Sequence, residues 1–362
     1  MRGRSPVHLL LLPLALLCAC SADGSSAAAG RGASARSLSL ERIAFLDDGS
    51  FPVLAEPVGI AFHSSGRLVI PDFSDRNLKI YDSTGARTGT LGRAGQGPGE
   101  FTGPMYAGFY RDSLVNVDFV GPVSFFSPDW RFARAVRFRG RRNQAVMDAR
   151  VVDDSLLLLH NAPVPGMGMH LLNLVRSDGR VVSSFFDRSR FLGRDPAVIQ
   201  RTAVKADGRG GIVFAGMAGG DSIFAFDYSG RLLASAPLDP VQPLPTTPAL
   251  LAAAGGKPRR ADGRWFNDQQ RMLIRVVALD SATAALQVAP YDPRNGLDPL
   301  EGGTLLLVTL HGGALHHIGR ADLPAGLMGR DAEGDAILIG YDGPDMNRYV
   351  LSRLIARPVR ER

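Results

Sequence analysis

The sequence predicts an all-β fold, a six-bladed β-propeller, from two series of landmarks that repeat together. Short apolar runs recur at Leu68–Ile70, Leu114–Val117, Leu156–Leu159, Ile212–Phe214, Leu286–Val288 and Ile337–Ile339, each after a turn rich in Gly, Asp or Ser. A second set of turns reads YDSTGAR at 81–87, FSPDWRF at 126–132, RSDGRV at 176–181 and DYSGRL at 227–232. Counted at Gly85, Trp130, Gly179 and Gly230, it advances by 45, 49 and 51 residues. Short strands cut by turns indicate a sandwich or a propeller. A sandwich does not repeat at this period, whereas a blade of four antiparallel strands needs about 40–50 residues.

Six units follow, at about 57–101, 102–145, 146–197, 198–239, 269–324 and 325–356. The last is one strand short, and LSLERIAFL at 38–46 precedes the first without a partner. A ring must protect its open edges, so the N-terminal strand is expected to close the last blade. The propeller then spans 37–356, with an insertion near 240–268 and a basic tail at 357–362. Within the insertion, Pro248–Ala254 is the one plausible helix.

The ends bear on location. Arg2 and Arg4 precede an apolar run from Val7 to Cys20. That run is shorter than the ~20 residues of a spanning helix and has the length of a signal-peptide core. Leu17-Cys18-Ala19-Cys20 resembles the lipobox of bacterial lipoproteins, which implies cleavage after residue 19 and lipidation of Cys20. Ser21 after it looks like the outer-membrane sorting pattern, implying a protein of the bacterial cell envelope, facing the periplasm. An ordinary cleaved leader or a retained anchor is the alternative. Residues 20–36 are small, polar and aperiodic, the composition of a flexible tether. The chain's two cysteines are Cys18 and Cys20, so the folded part has no disulfide and no thiolate chemistry.

The formal charge is +6, and loss of Arg2 and Arg4 with the leader leaves +4. Only Lys79, Lys205 and Lys257 are lysines among 41 basic residues, which reads as a compositional bias towards arginine. Arg131, Arg134, Arg137, Arg139, Arg141 and Arg142 form a cluster that fits either an anionic partner or a solvated outer strand. No nucleic-acid motif is present, and nucleic acid is not expected as a partner.

The segment PVGIAFHSSGRLVIPDFSDRNLKIYDSTGARTGTLGRAGQGPGEF at 57–101 resembles one complete NHL repeat. The resemblance rests on Gly66, Asp72, Asn77 to Ile80, Tyr81-Asp82 and Gly85, and on the Gly92–Phe101 connection. It is strong in unit one, fair in units two to four and weak in the last two. NHL propellers serve mostly as binding platforms, with some lyases and hydrolases, so the resemblance implies fold more than function. Gly95, Gly97 and Gly99 lack the strand-to-helix setting of a dinucleotide fingerprint. Glu100 is expected to accept backbone N–H bonds in that turn, and Asp72 and Asp118 to brace neighbouring blades.

Candidate chemistry is sparse. His316 and His317 alternate across a strand and cannot share one metal. Asp292, Asn295, Asp298 and Glu301 could hold calcium but read better as turn residues. No G-x-S-x-G or H-E-x-x-H pattern occurs. No catalytic residue, metal or cofactor is assigned. The first strand of each blade lines the axis, and these stretches carry Tyr106, Asp148, Arg150, Arg201, Lys205, Arg275 and Arg330. They suggest a basic axial pocket for a carboxylate, a phosphate, or an acidic glycan or peptide end. The reading is therefore a non-catalytic binding or protein-interaction module. The alternative is a metal-dependent NHL-type lyase or lactonase-like hydrolase with an axial site, to which His160 and Asp148 would belong.

Overall fold

Alternating apolar residues flanked by Asx and Gly turns fold into six sheets. The computed structural model describes residues 36–46, 54–119, 121–137, 146–153, 156–161, 170–187, 204–218, 220–238, 271–290, 303–341 and 349–358. Strand β1 is Arg36–Leu46. Blade one holds β2 (Ala61–Phe62), β3 (Leu68–Asp72), β4 (Asn77–Tyr81) and β5 (Arg87–Leu91). Blade two holds β6 (Pro104–Tyr110), β7 (Ser113–Asp118), β8 (Val123–Phe126) and β9 (Phe132–Val136). Blade three holds β10 (Val146–Val152), β11 (Leu156–Asn161), β12 (His170–Arg176) and β13 (Val181–Asp187). Blade four holds β14 (Val204–Arg209), β15 (Ile212–Met217), β16 (Ser222–Asp227) and β17 (Leu232–Pro237). Blade five holds β18 (Arg271–Ala278), β19 (Thr283–Pro290), β20 (Gly303–His311) and β21 (Ala314–Leu323). Blade six holds β22 (Gly326–Arg330), β23 (Ala336–Tyr341) and β24 (Tyr349–Pro358). Its fourth strand is β1, in the order β22-β23-β24-β1.

The closure expected from the sequence is thus the one observed. β1 pairs antiparallel with β24 from Arg36↔Pro358 to Leu46↔Tyr349. Both strands run slightly past the expected limits, β1 from Arg36 and β24 to Pro358. The ring is continuous at the centre, where the first strand of each blade touches the first strands of both neighbours. The leader, Cys20 and most of the tether, the insertion at 240–268 with the helix expected at 248–254, and Asp292, Asn295, Asp298 and Glu301 lie outside the described residues.

Period-two alternation explains the near-continuous apolar runs of the middle strands. Each blade is covered on both faces, so odd and even residues pack against different neighbours. Leu68 and Ile70 join the core shared with blade six, while Val69 and Leu78 join the core shared with blade two. Likewise Leu158 packs towards blade four, and Leu157 and Leu159 towards blade two. Similar cores join blades four and five, and five and six. A fully buried leucine contributes about 1.5–3 kcal/mol by leaving water, and truncating Leu158 to Ala should cost about 2–5 kcal/mol through the cavity it leaves. The outer strands are more exposed: β5 alternates half-buried with exposed residues, and the middle three residues of β9 are all exposed.

Turn chemistry sets the repeat. The Asp82 Oδ1 atom accepts from the backbone N–H of Thr84 and Ala86, and Asp227 Oδ1 accepts from Ser229 and Arg231 in the same way. Gly85 (φ +90°) and Gly230 (φ +87°) finish these turns in the left-handed region, where Trp130 stands at the matching place with φ 68°. The Gly-rich connection closes around Phe101, which is fully buried between blades one and two. Glu100 accepts from Gly97 N–H at 2.9 Å and pairs with Arg93, the turn role expected for it.

The axial channel as candidate binding site

Inner strands present alternate residues to the axis. Asp148 and Arg150 share that face of β10, as Lys205 and Asp207 do on β14. Tyr106 comes from β6, Arg275 from β18 and Arg330 from β22. Arg201 lies outside the described residues. Asp148 is paired across the sheet with His160 of β11, whose Nδ1 stands 3.8 Å from Asp148 Oδ2.

Several of these groups fasten blades together. The hydroxyl of Tyr106 accepts from Val151 N–H at 2.8 Å, joining blades two and three. Arg330 crosses from blade six, with Nη1 donating to Asp207 Oδ2 at 2.5 Å and to Ala278 O at 2.9 Å. Asp207 also accepts from the N–H of Gly208 and Ala278. Arg275 reaches from blade five to blade one, with Nη1 and Nη2 both donating to Val58 O at 3.2 Å. Arg150 donates to Asp148 and to Ala149 O, and its guanidinium lies 5.2 Å from the centre of the Tyr106 ring.

The remaining donors are less satisfied. Among the described residues, Lys205 makes no hydrogen bond or ion pair, Arg275 Nε has no acceptor, and neither ring nitrogen of the fully buried His160 has a hydrogen-bond partner. Burial alone would raise the Asp148 carboxyl, yet Arg150, His160, Lys205 and Arg275 hold it far below the usual carboxylate range. Burial pushes the His160 imidazole down to about 3, against the pull of Asp148, so it is neutral at pH 7. Burial likewise lowers the Lys205 ammonium and, with Arg150 beside it, brings Arg275 down to about 10. Arg275 stays cationic at neutral pH. Among the described residues the axis therefore carries the guanidinium groups of Arg150, Arg275 and Arg330, with the Lys205 amine beside them, against the carboxylates of Asp148 and Asp207.

The inner-strand cations are named from sequence but Asp207 is not; it opens the turn-like stretch DGRGG at 207–211. Strand alternation from Lys205 was the signal that could have found it. Asp72 and Asp118 differ from expectation. Each holds the segment leading into its own blade: Asp72 accepts from the N–H of Ala55 and Glu56, and Asp118 from Thr102 and Gly103. An aspartate at the end of a second strand lies next to its own inner strand, which explains the choice. Of the arginine cluster, Arg134 donates to Ser177 O and stacks on Phe125, while Arg139, Arg141 and Arg142 lie outside the described residues. His317 Nε2 lies 2.7 Å from Pro237 O of the next blade. Among the described residues, no three His, Cys, Asp or Glu side chains are grouped as a metal would require.

No protein-family model matches the sequence, and no curated protein matches it. Solved structures do match. A protein of Bacteroides fragilis described as exported superposes with a TM-score of 0.56 at 13% identity, covering 88% of this chain and 95% of that one. A member of the DUF4221 family from Bacteroides vulgatus gives 0.53 at 11% identity, covering 90% and 98%. At such identities the likeness concerns the fold, and this chain is an all-β protein of six four-stranded blades arranged as a β-propeller.

Proposed function

We propose that this is a cell-envelope lipoprotein, anchored through Cys20, whose NHL-like propeller binds an anionic ligand in its axial channel without transforming it. The observation that carries this reading is the cation excess around Asp148, with Lys205 and the Nε of Arg275 lacking acceptors among the described residues. Desolvated donors without acceptors are costly, and an anion of carboxylate or phosphate type supplies what they lack. Lys205 and Arg275 hold it, and Arg330 and Tyr106 keep the blades in place around it. The lipobox-like Leu17–Cys20 segment supports envelope anchoring, and the exported description of the Bacteroides fragilis neighbour agrees with that location.

The test is thermal unfolding of the full chain in rising citrate or phosphate at constant ionic strength. A ligand that binds only the native state raises the midpoint with the logarithm of its concentration. A rise in the native chain that is lost in Lys205→Met supports the reading. Equal midpoints in citrate and chloride contradict it.

A further inference from the structure

At the end of the channel where the inner strands finish, blades one, two, three, four and six enclose a cavity of about 440 Å³. Asp148, Lys205 and Arg275 do not line it, and its two walls differ. Ile60, Phe62, Tyr106, Phe109 and Met328 give an apolar patch on blades six, one and two, beside Arg330 and Asp331 of blade six. Arg150, Asp153, Asp207 and Arg209 make a polar side on blades three and four.

The acidic groups of the cavity are already occupied. Asp153 accepts from Gly210 N–H at 2.8 Å and from the Tyr228 hydroxyl at 2.7 Å. Asp207 is held as described above. Asp331 accepts from the N–H of Gly334 and Asp335, with Arg353 Nε 2.9 Å from its other oxygen. The guanidinium groups are not fully used. Arg209 donates through Nη1 to Leu279 O, Arg150 donates through Nη1 alone, and neither makes another hydrogen bond through its guanidinium among the described residues. The cavity thus offers guanidinium donors beside an apolar patch, and its carboxylates are already bonded.

We infer that this cavity is a second binding site, separate from the basic section around Lys205, and that it takes a free monocarboxylic acid with an apolar acyl or aryl body. Its carboxylate lies on Arg209 and Arg150, and its body lies against Phe62, Phe109 and Met328. The volume is in the range of pockets that bind small organic ligands, and bidentate guanidinium–carboxylate pairing supplies the orientation.

Titration calorimetry of the full chain with octanoate, acetate and 1-octanol tests this. Octanoate should bind at least tenfold more tightly than either acetate or 1-octanol. Arg209→Met should weaken octanoate at least tenfold, and Phe62→Ser should do so while leaving the melting midpoint near that of the native chain. Lys205→Met should leave octanoate binding unchanged. Binding of 1-octanol as tight as octanoate, or octanoate affinity indifferent to both Arg209→Met and Phe62→Ser, would overturn the inference. Loss of octanoate binding in Lys205→Met alone would place the carboxylate in the basic section, ending the second site and leaving the proposed function standing. Failure of citrate or phosphate with octanoate binding intact would do the reverse.

Discussion

Arg330 of blade six is ion-paired with Asp207 of blade four, 123 residues away in sequence and on another part of the ring. The same guanidinium donates to Ala278 O on blade five, so one side chain ties three blades at the axis. Asp207 is almost wholly buried, and a buried carboxylate deprived of its partner is expensive. Arg330→Met should lower unfolding free energy by about 3 kcal/mol, measured by denaturant titration. Adding Asp207→Asn should recover part of the loss if the two act as a pair. Full additivity would show that Arg330 acts through its backbone-carbonyl contacts alone.

Ring closure has its own test at Gly85. A Cβ at this position would meet Phe45 O of the closing strand at 2.1 Å, on a backbone with φ +90°. Gly211 has φ +88° but open space around it. Gly211→Ala should therefore cost only the left-handed strain, about 1–2 kcal/mol. Gly85→Ala should add an overpacking cost of about 1–3 kcal/mol and make the β1 segment easier to cleave by protease. Equal costs in the two variants would mean that blade one does not press on the closing strand as described.

Acid should weaken the fold through His160. Its native imidazole is held at about 3, below the unfolded value near 6.5, by burial and by Arg150 and Lys205, against Asp148. Between those values the unfolded chain binds a proton that the native chain does not, so stability is full above about pH 6.5 and falls on acidification, by at most about 1.4 kcal/mol per pH unit. Denaturant midpoints compared from pH 6.5 to 4 should fall less steeply in His160→Gln. Parallel curves would show that another group carries the titration.

The blades were legible because the repeat is written in turns as well as strands. Asp82 and Asp227 bond the same backbone groups, and the apolar runs between them follow from packing on both faces. The clasp was legible from one missing strand at the end and one surplus strand at the start. Trp130 shows the limit of such landmarks, since it fills a glycine position with φ 68° while its ring packs on Phe109. The candidate site was only half legible. Strand alternation gave the side chains that face the axis, but a guanidinium can reach across a ring to partners such as Asp207 or Val58. Sequence distance carries no trace of those pairs. A list of cations therefore read as a basic pocket, whereas in the fold Arg330 is neutralised and the excess concentrates near Lys205 and Arg275.

Citrate affinity, measured by calorimetry in the native chain, Asp148→Asn and Lys205→Met, tests the central claim most directly. If the cation excess around Asp148 binds the anion, removing this carboxylate strengthens binding and removing the Lys205 ammonium weakens it, each by about tenfold for ~1.4 kcal/mol of charge interaction. The predicted order of affinity is Asp148→Asn, then native, then Lys205→Met. Weaker binding in Asp148→Asn, or the same affinity in all three, would contradict an anion site on this axis.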